Sequence, residues 1–404
     1  MAGIYAYLVS FFELQLINNV SLSEVISFLL IIISLFYIRR IKIEADTIFF
    51  FFFVVWVVVS YSIIISKAHY FSSSSYRNNT FRLILYFVGY LTIPLYFQQK
   101  SRLDVFFKHL IISSIIICII GVIDFINIQL ELGVDFRMSK IFINDASLKS
   151  FDRISSIFNE PAHLSIYIGT VMTLILRYYK GAKKTRILIL LKFLAITNLI
   201  LSMSLVGMTI LVYLIYLMAF DGYSKKRTFL SYLKNVFVLI IALLFVSAII
   251  VQVGFFNEMI FDRISTAINL DDTSSNQRLI GSYEYAVFVT SLFPFTGIGL
   301  GQLMPFFQGT NISIDFYYFN DERGGGVNNI LSSILIQTGW VGLIFFILFV
   351  LFLFKKDKRL LFMFLILSFS WGFFNTSFFW FYLYVAKSLI LNQQTFELKN
   401  RRHI

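Results

Sequence analysis

The sequence predicts an all-helical polytopic membrane protein of about twelve spans, because it is a succession of apolar runs long enough to cross a hydrocarbon layer roughly 30 Å thick. Two further observations agree. Hydrophobic residues make up 58% of the chain and the mean hydropathy is +0.80, which excludes a water-soluble fold. The 34 Lys and Arg residues gather in every second connection instead of being spread evenly.

In chain order the spans fall near Ile4–Ile17, Val25–Ile38, Thr47–Ile65, Phe81–Phe97, Leu110–Ile126, Pro161–Leu176, Ile187–Met203, Val206–Phe220, Val236–Val253, Asn329–Phe354, Leu360–Phe374 and Ser377–Leu391. The apolar stretch Arg186–Phe220 would run roughly 50 Å as one helix, more than a tilted span needs, so it divides at Ser202-Met203-Ser204. The same argument divides Leu360–Leu391 at Asn375-Thr376. The first span is short, contains Glu13 and follows no Lys or Arg, so an interfacial or half-inserted helix stands beside a crossing one. Without a positive n-region it does not read as a cleaved signal peptide.

Alternate connections carry Arg39, Arg40 and Lys42; Lys100, Arg102 and Lys108; Arg177, Lys180, Lys183, Lys184 and Arg186; Lys225, Lys226, Arg227 and Lys234; Lys355, Lys356, Lys358 and Arg359; and Lys399, Arg401 and Arg402. The other connections are longer and poorer in positive charge. Lys and Arg in short loops resist translocation, so the first set is expected in the cytoplasm together with both termini. Residues 129–160 and 254–328 then form two outer loops on a single integral membrane domain covering 1–404, the larger one with an amphipathic helix.

Most of the formal +12 charge lies on this cytoplasmic rim, where anionic headgroups attract it; membrane lipid is the expected partner and nucleic acid is not. Cys118, the single cysteine, sits in an apolar span and allows no intrachain disulfide. His69, His109, His163 and His403 are scattered and Asp271-Asp272 stands apart, so no metal site is expected. Arg82, Lys192, Lys387 and Asp124 fall near span ends and read as boundary residues.

The outer loops hold the chemistry-bearing residues. The first ends Phe151-Asp152-Arg153-Ile154-Ser155-Ser156-Ile157-Phe158-Asn159-Glu160-Pro161-Ala162-His163 and runs straight into a span. Pro161 suits the first helical position and Glu160 the cap, with His163 one turn later on the same face. A capped helix with an interfacial His and a functional carboxylate–imidazole pair both fit that spacing. The second loop has Arg278 near the first turn of a helical pattern whose face is Leu279, Tyr283, Ala286 and Val287. It continues through Phe293-Pro294-Phe295-Thr296-Gly297-Ile298-Gly299-Leu300-Gly301 to Gly324-Gly325-Gly326-Val327-Asn328-Asn329. No strand precedes these glycines, so turns or a mobile flap are expected rather than a nucleotide cradle.

These residues together resemble the O-antigen and capsular polysaccharide polymerases, relatives of the O-antigen ligases. The resemblance rests on Arg153…Ser156-Ile157-Phe158-Asn159-Glu160-Pro161-Ala162, on Arg278 followed by Pro294…Gly297-Ile298-Gly299-Leu300-Gly301, and on Asn328-Asn329…Gly339-Trp340-Val341-Gly342. It implies a GT-C-like glycosyltransferase of the bacterial inner membrane. The implied reaction polymerises undecaprenyl-diphosphate-linked oligosaccharides on the outer face, without cofactor or metal. A chain-length regulator and a flippase are the partners implied. Arg153 and Arg278 would bind the diphosphate, Glu160 or His163 would serve as base, and Asn328 and Asn329 would contact substrate. In the ligases a His commonly stands where this chain has Asn328, which turns the expectation toward polymerisation. A ligase and a lipid-linked oligosaccharide flippase are the alternatives.

Overall fold

The computed structural model describes residues 1–9, 15–17, 20–37, 43–65, 72–137, 153–180, 186–220, 281–303, 305–306, 327, 329–370 and 376–401. Among these the helices are α1 (Ala2–Leu8), α2 (Leu22–Leu35), α3 (Ala45–Ile65), α4 (Ser73–Tyr96), α5 (Lys100–Gln129), α6 (Pro161–Tyr178), α7 (Arg186–Leu201), α8 (Leu205–Phe220), α9 (Ser282–Leu292), α10 (Ile330–Phe354), α11 (Lys358–Ser370) and α12 (Ser377–Arg401). Gln15–Ile17 and Val20–Ser21 are extended.

Helices α3, α5 and α10 are each long and apolar enough to cross a membrane, with mean hydropathies of 2.7, 2.5 and 2.5; α2 and Leu205–Met218 of α8 are shorter apolar helices. Their exposed faces are apolar, unlike the surface of a soluble protein, and polar groups lie on the buried side. On α5, Ile116, Ile119, Ile123 and Ile126 are exposed while Ser113, Ser114, Asp124 and Asn127 are buried. On α3, Phe51, Phe52, Val55 and Val59 face out while Asp46, Thr47 and Ser60 face in. Apolar residues outside and polar groups inside are what a hydrocarbon solvent selects, and the chain is a multi-pass membrane protein.

Most predicted spans coincide with a helix; the one near Val236–Val253 lies outside the described residues. The first needs correction. Helix α1 has 7 residues and rises only about 10 Å. The chain is extended by Gln15–Ile17, so Ile4–Ile17 is not one crossing helix. The break at Ser202-Met203-Ser204 stands as expected between α7 and α8, with Met203 at φ 45.

The chain divides into two compact units, one of Met1, Val20–Leu103 and Thr273–Ile404, the other of Ala2–Asn19 and Asp104–Asp272. In the first, α2 opens with a capping box: the Ser21 N–H donates to Glu24 at 2.8 Å and the Glu24 N–H to Ser21 Oγ at 3.2 Å. Helices α3 and α10 pack along their length, with Phe50 stacked between Phe349 at 4.8 Å and Trp380 at 5.0 Å. Lys387 corrects the boundary reading. It is buried, donates to Asp46 Oδ2 at 2.7 Å and Thr47 Oγ1 at 2.9 Å, and lies over the Tyr90 ring, whose hydroxyl also donates to Asp46. A buried ammonium needs a carboxylate, and the first turn of α3 supplies it.

In the second unit α6 packs on α8 and α7. A Cβ on Gly169 would come within 2.6 Å of Ile210, so a glycine here lets the α6 and α8 backbones approach, as in close membrane helix pairs. Asn198 of α7 is buried and donates to the Cys118 carbonyl of α5 at 2.9 Å.

Candidate functional site

The segment from Arg153 to Glu160 is built into the second unit. Ile154, Ile157 and Phe158 are buried, and the Phe158 ring lies 5.2 Å from Tyr167 of α6. Between these apolar anchors Ser156 adopts φ 55, a left-handed conformation costing a non-glycine residue about 1–3 kcal/mol. Two groups of α5 hold it there. Asp124 Oδ2 accepts from the N–H of Ser155 at 2.9 Å and of Ser156 at 3.0 Å, and Ser156 Oγ donates to the Ile117 carbonyl at 2.9 Å. Asp124 is therefore a buried, bonded carboxylate and not a boundary residue.

Arg153, at the start of this segment, borders a cleft of about 370 Å³ with Asp124, Asn127, Glu131, Asp135 and Arg137. Its Nη1 donates to the Met203 carbonyl at 3.4 Å, near the outer limit of a hydrogen bond. The α7–α8 break thus presents an acceptor as well as a turn. Arg137, also on the lining, is buried and its guanidinium grips the Asp135 carboxylate, Nε lying 2.9 Å and 3.1 Å from the two oxygens. The wall beneath it is a turn closed by Asn127, which donates to the Val134 carbonyl at 2.6 Å and accepts from the Val134 N–H at 3.0 Å. Nothing in the sequence reading singled out Arg137. A polar Asn127 at the end of an apolar span, followed by Gly133, was the available sign that a shaped turn begins there.

Glu160 is the N-cap of α6, extended at φ −137 and ψ 148, with Pro161 next, as the spacing predicts. Its carboxylate makes no capping hydrogen bond. Instead Glu160 Oε2 lies 3.8 Å from His163 Nε2, with 47% of the Glu160 side chain and 27% of the His163 side chain exposed. The two form a half-open carboxylate–imidazole pair one helical turn apart, at ion-pair distance but beyond direct hydrogen-bond reach.

Arg278 and Asn328 lie outside the described residues. Asn329 is fully buried as the N-cap of α10, its Oδ1 accepting from the N–H groups of Leu331 at 2.9 Å and Ser332 at 3.2 Å. That oxygen is occupied by the cap. On α9 the buried face is Ser282, Tyr285, Ala286, Val289 and Thr290, packed on α10, while Tyr283 and Val287 are exposed. Of the described residues on the expected face only Ala286 is buried, because polar Ser282 and Thr290 share the packed side and hydrophobicity alone does not mark it.

The glycine motif after α9 is a backbone joint and not a flap. Ile298 N–H donates to the Ile336 carbonyl at 2.9 Å, Gly299 N–H to the Gln337 carbonyl at 3.1 Å, and Trp340 N–H to the Pro294 carbonyl at 2.9 Å. Gly339 interrupts α10 at φ 68 and ψ −173, a conformation open essentially to glycine alone. Gln302 completes the joint, accepting from the Ser72 N–H at 2.7 Å and donating to the Ser72 carbonyl at 2.9 Å. Two of the three motifs that carry the family resemblance thus meet as one interlocked loop and helix kink. The Gly324-Gly325-Gly326 run lies outside the described residues.

No curated protein matches the chain at a significant level. The family model described as O-antigen ligase matches residues 190–347, from within α7 through the Gly297–Gly301 joint to the Gly339 kink in α10. That match, which takes in the glycine joint, supports membership of the O-antigen ligase and polymerase superfamily.

Proposed function

We propose that this protein polymerises lipid-diphosphate-linked oligosaccharide repeat units, with undecaprenyl diphosphate as carrier and leaving group, on the outer face of the bacterial cytoplasmic membrane. The basic-residue asymmetry supports that orientation, the C-terminus lying inside and residues 129–160 and 254–328 outside. In the reaction an acceptor hydroxyl attacks the anomeric carbon of the donor sugar. The bond from that carbon to the diphosphate oxygen breaks, and the electron pair leaves with the diphosphate. The enzyme then has two tasks, to stabilise negative charge growing on the diphosphate and to take the hydroxyl proton.

The observation that carries the reading is the cleft bordered by Arg153, on the segment that leads into the Glu160–His163 pair. A guanidinium matches phosphate oxygens with two parallel donors and stays charged at every relevant pH, so Arg153, with Arg278, would bind the diphosphate without a metal. Glu160 is the base in this reading, with His163 beside it as the alternate, and Asn328 would border the acceptor side.

A ligase is the second reading, since the matching family model carries that description. Only the acceptor differs. Asn328, where the ligases commonly have His, favours the polymerase. The glycan ladder of a strain lacking the gene separates the readings. A missing polymerase leaves single repeat units attached to their final acceptor, a missing ligase leaves long chains on the carrier, and a missing flippase leaves neither.

A further inference from the structure

Asp124 does more than neutralise a turn. It is 7% exposed, lies near the end of a membrane-crossing helix, and uses one oxygen to accept two successive backbone N–H groups from the segment that begins at Arg153. Ser156 is held left-handed by the same contact. The Cα of Arg153 is only two residues from this anchor, and its Nη1 reaches the Met203 carbonyl at 3.4 Å. Since one residue of chain spans roughly 3.5 Å, release of the anchor would let Arg153 shift on the ångström scale.

We infer that Asp124 is a positioning residue for Arg153: the carboxylate on α5 sets the backbone turn at Ser155-Ser156 and thereby aims the guanidinium into the cleft. The inference rests on the glycosyl-transfer reading for its consequence and on the hydrogen-bond geometry for its cause. Asp124 touches no reacting atom. It acts by holding a second group where the leaving diphosphate develops charge, and displacement of about 1 Å in such a group costs on the order of 100-fold in rate.

Two measurements on the purified protein test cause and consequence separately. The first is amide hydrogen exchange at Ser155 and Ser156. Asp124→Ala should accelerate it at least 10-fold while Asp124→Asn leaves it close to wild type, because an amide oxygen can accept the same two donors. Exchange unchanged in Asp124→Ala overturns the anchor, whatever the protein's activity. The second is transfer from a lipid-diphosphate repeat unit. Asp124→Ala should lower kcat roughly 100-fold with little change in KM, Asp124→Asn should stay within a few-fold of wild type, and Asp124→Ala should add nothing in an Arg153→Ala background. Equal losses in the Ala and Asn variants, or additive losses with Arg153→Ala, overturn the positioning role. If Asp124→Ala does not accumulate, Asp124→Glu displaces the acceptor by one methylene and should show the same kcat loss. Wild-type protein with no transfer activity refutes the functional reading instead, and with it the catalytic consequence, while the exchange result still decides the anchor.

Discussion

Gly339→Ala should disable the first unit, and the size of the effect follows from two separate costs. The backbone at Gly339 has φ 68 and ψ −173, and an alanine held there costs about 1–3 kcal/mol in strain. A Cβ would also come within 2.7 Å of Thr296 N and closer still to the Phe295 carbonyl, with backbone on both sides and no side chain free to rotate away. Separation of the loop from the helix would forfeit the Ile298–Ile336, Gly299–Gln337 and Trp340–Pro294 hydrogen bonds, each contributing about 0.5–1.5 kcal/mol. Together these give roughly 3–7 kcal/mol, a large part of the 5–15 kcal/mol typical of a folded domain. Gly133→Ala is the control. Gly133 has φ +69, but nothing lies within 4 Å of its added Cβ, so only the left-handed cost of about 1–2 kcal/mol applies. Thermal unfolding of detergent-purified protein, together with membrane yield, reads both. Gly339→Ala melting and accumulating like Gly133→Ala would refute the joint.

Lys387→Ala should be more damaging than its double variant with Asp46→Ala, because the single change strands a buried carboxylate at a cost of about 3–5 kcal/mol; a melting temperature for the double no higher than for the single would refute the buried pair. Arg153→Ala should reduce in vitro transfer at least 100-fold with normal accumulation, and Arg153→Lys should recover little because a point charge lacks the bidentate fork; near wild-type rates in either would remove Arg153 from the diphosphate site. Glu160→Gln should be nearly inactive and Glu160→Asp partly active, and a Gln variant at wild-type rate would move the base role to His163 or to no residue. Phosphatase fusions should be active at Asp272 and silent at Lys183, and the reverse pattern would invert the topology and the substrate side.

What the sequence determined by itself is whatever depends on near neighbours in the chain. Apolar run length placed most helices, the excess length of Arg186–Phe220 located the α7–α8 break, and Glu160-Pro161 marked the start of α6 with His163 one turn on. Each is a one-dimensional property, fixed by rise per residue, helical period or the φ of proline. Tertiary structure alone decided the partners. Lys387 looked like a snorkelling end residue until Asp46, far away in sequence, proved to be its counter-ion. Asp124 and Met203 carried no signal that one would anchor the Arg153 segment and the other accept from its guanidinium. The glycines at Gly297 and Gly339 announced turns, but not that the two turns would interlock. The inner face of α9 was illegible for a related reason, since its packed side carries Ser282 and Thr290 while Tyr283 and Val287 face away, so apolar periodicity did not mark the side that packs on α10. Buried polar groups in such a protein must find one another, and which pairs do so depends on helix packing that no local window of sequence contains.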